Sequence, residues 1–196
     1  MPVFDDESEE RAGEEKFDAR SKEFCAMLGA CLVSWQSIEQ QLFFICMYLL
    51  DVDSFDVCSA VFHHIRAFDQ KVELVNKLCL IQLNDEADDM ARWKALAPEL
   101  KSMGSLRDRL VHYAAYGGYD TEEGLSSPMV IMPPWHNVSL KIKGKAPEPP
   151  NPEHFITYGE LCKAVLRFNS LHEKMQEFGG EILIRQSHQE RERKHH

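Results

Sequence analysis

The sequence predicts an all-α fold: an up-and-down four-helix bundle with a small β-hairpin inserted before the last helix. Three observations predict it. Apolar residues recur by fours and threes from Phe24 to Leu49, a Pro/Gly-rich stretch around 119–156 carries strand-like alternation, and a capping box at Thr157–Glu160 opens a final helix.

The first element is the strongest. Phe24, Leu28, Cys31, Trp35, Ile38, Leu42, Ile45 and Leu49 fall on one stripe of a helix over roughly 17–50. Phe43, Phe44 and Tyr48 widen that stripe, so the helix meets more than one neighbour, and a second copy of the chain is an expected one. Asp51-Val-Asp-Ser54 ends the pattern. A second helical region follows over about 55–83, interrupted near Arg66-Ala67-Phe68, with Val72, Val75, Leu78 and Cys79 inward. Asn84-Asp85-Glu86 is a turn. The third region, about 86–115, has Trp93, Leu96, Leu100, Met103, Leu110 and Val111 on its apolar face. Pro98 should break or kink it, and Gly117-Gly118 should stop it.

Met129–Met132 and Val138–Ile142 read as the two strands of a hairpin joined across Pro133-Pro134-Trp135-His136-Asn137. Ala146–Pro152 reads as a stiff connector. The last helix runs from Thr157 to about Phe178, facing inward through Leu161, Val165, Phe168, Leu171 or His172, Met175 and Phe178, with Gly179-Gly180 as its stop. The chain thus divides into an acidic flexible segment (1–16), one helical domain (17–180, insert about 119–156) and a charged tail (181–196).

Composition narrows the function classes. Formal net charge is −10, against a broad nonspecific nucleic-acid binder. Residues 1–18 hold eight Asp/Glu, whereas 91–115 hold five Lys/Arg (92, 94, 101, 107, 109) against Glu99 and Asp108. The longest apolar run, Leu42–Leu50, is nine residues, too short for a membrane span, and no export signal opens the chain, so a cytoplasmic location is expected. Six cysteines without any Cys-x-x-Cys read as reduced, mostly buried thiols rather than a zinc site or a disulfide framework. No metal or cofactor site is expected. Adjacent His63 and His64 diverge by about 100° on a helix and do not share a metal. Asp85, Asp88 and Asp89 read as a solvated helix start. Trp135-His136-Asn137 reads as a turn packing its own tryptophan.

One constellation carries chemistry: Arg107-Asp108-x-x-x-His112, late in the third helix. On a helical wheel Arg107 lies about 20° from Leu100 and about 40° from Met103, so it faces inward. Arg109, about 160° further round, faces solvent. Asp108 and His112 are one turn apart on a common flank. An inward guanidinium needs an acceptor, and Glu39, beside the Trp35/Ile38/Leu42 stripe, is the best candidate. On the residues alone, Arg107–Glu39 reads as a register-setting buried pair and His112 as capped by Asp108.

Trp35-x-x-Ile38-Glu39-x-x-Leu42 in a long first helix, followed by Arg107-Asp108-x-x-x-His112 late in the third, resembles the HEPN superfamily (higher eukaryotes and prokaryotes nucleotide-binding). Its motif is an arginine, four to six residues, then a histidine, often with a polar residue directly after the arginine. The resemblance covers about 17–116 and 157–178 and leaves out the hairpin insert. It implies a metal-independent endoribonuclease of toxin or defence type, with its site assembled where two domains pair. Arg107, Asp108 and His112 would be catalytic, with Glu39 and Tyr113 supporting. Imidazole can take a proton from a ribose 2′-hydroxyl or return one to the leaving oxygen, guanidinium can hold the phosphate, and Asp108 can fix the imidazole tautomer. One toxin branch carries His-x-Tyr, with the tyrosine modified by a partner antitoxin; here Tyr113 follows His112 directly and the next tyrosine is Tyr116. Other members are non-catalytic, which implies the alternative of a helical dimer that binds nucleotide, RNA or a protein partner.

Overall fold

A computed structural model describes residues 6–50, 54–120, 125–133 and 154–195. Among them are five helices and one two-stranded antiparallel sheet: α1 (Asp6–Leu50), α2 (Phe55–His64), α3 (Phe68–Gln82), α4 (Ala87–His112), β1 (Ala114–Asp120), β2 (Leu125–Met132) and α5 (Tyr158–His195). The chain divides into two compact units, Met1–Leu32 with Asp108–Val165, and Val33–Arg107 with Leu166–His196.

In the larger-numbered helical unit the expected stripes are the core. Trp35, Ile38, Leu42, Ile45 and Leu49 of α1 are buried, as are Val72, Val75 and Cys79 of α3 and Trp93, Leu96, Leu100 and Met103 of α4. Phe168, Leu171, Met175 and Phe178 of α5 join them, so Leu171 and not His172 takes the inward position. The Phe43 ring meets Phe55, Phe62 and His63 of α2 at centroid distances of 5.3, 5.4 and 5.5 Å. α2 therefore covers the second apolar face of α1.

The second helical region is split, as its sequence suggests. Ser54 caps α2 by accepting a hydrogen bond from the Val57 amide at 3.4 Å. Ile65 and Ala67 are extended, which separates α2 from α3. α4, by contrast, passes through Pro98 unbroken. Pro98 cannot donate to the Lys94 carbonyl, but both residues lie on the exposed side, where water can satisfy that carbonyl.

Two helix limits differ from expectation. α1 starts at Asp6, so residues 6–16 are helical. α5 continues through Gly179-Gly180 to His195. A Cβ at Gly179 would come within 2.8 Å of Gln41 Nε2 and 3.2 Å of Ile45 Cγ1. This glycine permits a close approach of α5 to α1 rather than ending the helix. Beyond it Ile182 is buried and Arg185 pairs with Asp89 at 2.5 Å and Glu86 at 3.3 Å. Asp89 is thus buried in an ion pair and not part of a solvated helix start.

In the other unit the hairpin exists but lies earlier than expected. β1 pairs with β2 from Ala114↔Met132 to Asp120↔Leu125, with a register shift between Tyr116 and Gly118. Gly117 faces Pro128 and Met129 there, and a Cβ on it would sit 2.6 Å from Met129 Cγ. Gly117-Gly118 therefore serves a bulge and not a helix stop, and Pro128, which has no amide to donate, falls where the ladder is interrupted. The expected strand at 138–142, the Trp135-His136-Asn137 turn and the 146–152 connector lie outside the described residues. Ile131 exchanges two backbone hydrogen bonds with Ile156, 2.9 and 2.8 Å, and both side chains are buried with Phe24, Cys31, Leu110 and Leu161. Val111, expected inward, is exposed. The capping box at the start of α5 is formed: the Thr157 amide donates to Glu160 Oε2 at 2.7 Å, and the Glu160 amide to Thr157 Oγ1 at 3.4 Å.

All six thiols are free, with Cys31, Cys46, Cys58 and Cys79 buried. Burial pushes the Cys46 and Cys79 thiols up to about 12 and Cys31 up to about 11. The folded state then holds protons that the unfolded chain, with thiols near about 8.5, has released. Stability is fully retained below about pH 8.5 and falls as the pH rises toward 11–12. Urea midpoints between pH 8 and 11 should show this loss, and a Cys46→Ala/Cys79→Ala protein should show a flatter pH slope from a lower starting stability. An unchanged slope would remove the thiols as its cause.

Candidate functional site around Arg107 and His112

Glu39 follows Trp35 by one turn of α1, so its carboxylate and the indole share a side of that helix. Two cations reach this carboxylate. Lys71 of α3 donates from Nζ to Glu39 Oε1, and Arg107 of α4 brings Nη2 to 3.8 Å from Oε2. Lys71 is only 5% exposed, and its ammonium also lies 4.9 Å from the Phe62 ring centroid. The Glu39 side chain is 17% exposed and that of Arg107 25%.

The Arg107 guanidinium is 5.5 Å from the Trp35 ring centroid, in cation–π range. Trp35 is itself fixed edge-on by Phe68 at 4.5 Å and Phe168 at 5.6 Å. Arg107 therefore lies inward, beside the carboxylate that the wheel assigns to it. Lys71 is the residue that sequence reasoning missed. The signal for it was faint: it sits three residues after Phe68 and next to Val72, on the edge of the buried Phe68/Val72/Val75 stripe.

Asp108 and His112 occupy the last two turns of α4, and both are exposed. Tyr113 is half-buried and belongs to a different contact. Its ring lies 5.7 Å from the Arg109 guanidinium, while Arg109 Nη2 donates to the His154 carbonyl at 3.0 Å. Arg109 is thus not simply solvent-facing; it ties the end of α4 to the segment before α5.

Two other basic residues of α4 meet acids. Arg92 pairs with Glu181, and Lys101 with Glu73 at 3.9 Å. Among the described residues, no three His, Cys, Asp or Glu side chains converge to hold a metal ion, and no helix is long and apolar enough to cross a membrane. His63 and His64 are both exposed, and His63 stacks on Phe43. No family model matches the chain, and no curated protein or solved structure is significantly similar to it.

Proposed function

We propose that this chain is a metal-independent endoribonuclease of HEPN type, a toxin-like or defence effector that cleaves RNA as a cytoplasmic homodimer. The observation that carries the reading is the state of Arg107. It is held on the Trp35 face beside Glu39, yet a quarter of its side chain meets solvent, and exposed Asp108 and His112 follow it on the same helix. The resemblance of Arg107-Asp108-x-x-x-His112 to the HEPN motif supplies the chemistry. His112 takes the ribose 2′-proton, the 2′-oxygen attacks phosphorus, and the 5′-oxygen departs with a proton returned to it. Arg107 holds the phosphate and offsets the charge that grows on it. Asp108 orients the imidazole. In this reading α2 and α3 together form the second arm of an up-and-down four-helix bundle, with the hairpin as an insert.

A second reading, a non-catalytic helical dimer for nucleotide, RNA or a protein partner such as an antitoxin, is favoured by the Arg107–Glu39 ion pair. A purely structural arginine would be paired in the same way. Labelled RNA incubated with the protein in chelator separates the two. Cleavage leaving 2′,3′-cyclic phosphate ends, with 2′-deoxy substrates intact, is the expected result. A well-folded dimer that cleaves no RNA would leave the binding reading ahead.

The homodimer has its own test. Val57 and Val61 are 56% and 50% exposed and one turn apart on α2, next to exposed Phe55. Light scattering at micromolar concentration should give twice the chain mass, and Val57→Asp/Val61→Asp should reduce it to that of one chain. A wild-type monomer would remove the shared site.

A further inference from the structure

α2 meets α1 through rings and, beside them, through two thiols. The Phe43 ring lies 5.3 Å from Phe55 and 5.4 Å from Phe62. Cys46 follows Phe43 by one turn of α1, and Cys58 stands one turn from both Phe55 and Phe62 on α2. The faces that bring the rings together therefore bring the two cysteines together. Their thiols are hydrogen-bonded to each other, and the residues are 0% and 1% exposed. Both thiols are free, and the chemistry proposed for His112 uses neither.

We propose that Cys46 and Cys58 form a redox-sensitive pair, which a hydroperoxide oxidises to a disulfide that ties α2 covalently to α1. In the first step the Cys58 thiolate attacks a peroxide oxygen and the O–O bond breaks. Cys58 becomes a sulfenic acid, and the departing oxygen leaves protonated, as water or an alcohol. In the second step the Cys46 sulfur attacks the Cys58 sulfur. The S–S bond forms, the S–O bond breaks, and the hydroxyl leaves as water with the Cys46 proton. Two thiols have then given two electrons to one peroxide. The inference stands apart from the nuclease reading and survives its failure.

The order of the two steps follows from the contact. Burial pushes both thiols up, Cys46 to about 12, but the hydrogen bond between them raises Cys46 and lowers Cys58. The Cys46 S–H thus donates to the Cys58 sulfur, which makes Cys58 the readier thiolate and Cys46 the resolving partner. Access comes through α2. It is ten residues long, buries only Cys58 and Phe62, and ends at extended Ile65. A short element with few buried side chains opens at less cost than the core, and opening this one uncovers Cys58.

The test treats the folded full-length protein with hydrogen peroxide and maps its peptides by mass spectrometry without reduction. The expected product is a Cys46–Cys58 bridge that dithiothreitol reverses. Hydrogen exchange of the α2 amides should then slow about a hundredfold, the loop-entropy equivalent of a bridge between residues so close in sequence. With dimedone present, Cys46→Ala should trap a sulfenic acid on Cys58, whereas Cys58→Ala should leave Cys46 reduced. If neither variant folds, the wild-type map and exchange rates decide alone. Oxidation confined to exposed Cys25 and half-buried Cys162 overturns the proposal. So does a Cys46–Cys58 bridge that forms only in urea, or one that leaves α2 exchange unchanged.

Discussion

Glu39→Ala is expected to lower unfolding stability by about 3–5 kcal/mol, the cost typical of removing one partner of a buried ion pair. Most of that cost comes from Lys71. Lys71 is 5% exposed, and its ammonium is hydrogen-bonded to Glu39 and lies over the Phe62 ring. A cation–π contact supplies about 0.5–2 kcal/mol, well short of the hydration an ammonium gives up on burial. Arg107 contributes less, because a quarter of its side chain is in solvent and its pairing is screened accordingly. The comparison is Glu99→Ala, which breaks the exposed Lys174–Glu99 pair at 2.8 Å and should cost less than about 1 kcal/mol. Urea unfolding of both variants decides the matter. Similar losses would mean that the Glu39 cluster is hydrated in solution. A Glu39→Gln/Lys71→Met protein should recover much of the loss, since it removes the stranded charge and not merely its partner.

The parts of this fold that were legible in the sequence are those decided by local period. The α1 stripe, the inward face of α5 and the orientation of Arg107 all follow from 3.6 residues per turn, because burial of one face settles a helix's rotation. The misreadings share one cause. Glycine pairs at 117–118 and 179–180 were read by their local preference for helix ends, yet contacts distant in sequence decide both. Met129 packs closely on Gly117, and Gln41 with Ile45 packs closely on Gly179. β1, with the sequence Ala-Ala-Tyr-Gly-Gly-Tyr-Asp, has little strand propensity of its own and is held by pairing with β2. Lys71 was illegible for a related reason: a lysine is ordinarily solvated, and Glu39, on another helix, makes its burial tolerable. Asp89 and Arg185 repeat that pattern.

Of the candidate site, Arg107 and Glu39 were legible because a charged residue on an apolar stripe demands a partner and few carboxylates flank the facing stripe. Tyr113 is expected to support the site through the family resemblance, and it follows His112 directly. Adjacent helical residues point about 100° apart, and its ring instead meets Arg109. Adjacency is a weak guide at a helix end, where the backbone turns into β1 directly after Tyr113.

The functional counterpart is His112→Ala, which should lower the RNA cleavage rate about 10²–10⁴-fold while leaving the unfolding midpoint close to wild type. The two halves of that expectation have separate grounds. His112 is exposed at the end of α4, so its truncation removes little packing and leaves no buried polar group unpaired. The loss of rate follows from the proposed step, in which imidazole moves the proton of the attacking 2′-hydroxyl. Arg107→Ala should be as damaging to cleavage but also strips one cation from Glu39, so its kinetic effect has to be read beside its unfolding curve. Asp108→Asn should keep the fold, since Asp108 is exposed, and should lower the cleavage rate rather than abolish it, because the proposed role of Asp108 is to orient the imidazole and not to move the proton. The set separates proton transfer, phosphate holding and imidazole orientation. Cleavage by His112→Ala at the wild-type rate, on RNA that an untreated control leaves intact, would assign the activity to other residues and end the role proposed for this histidine.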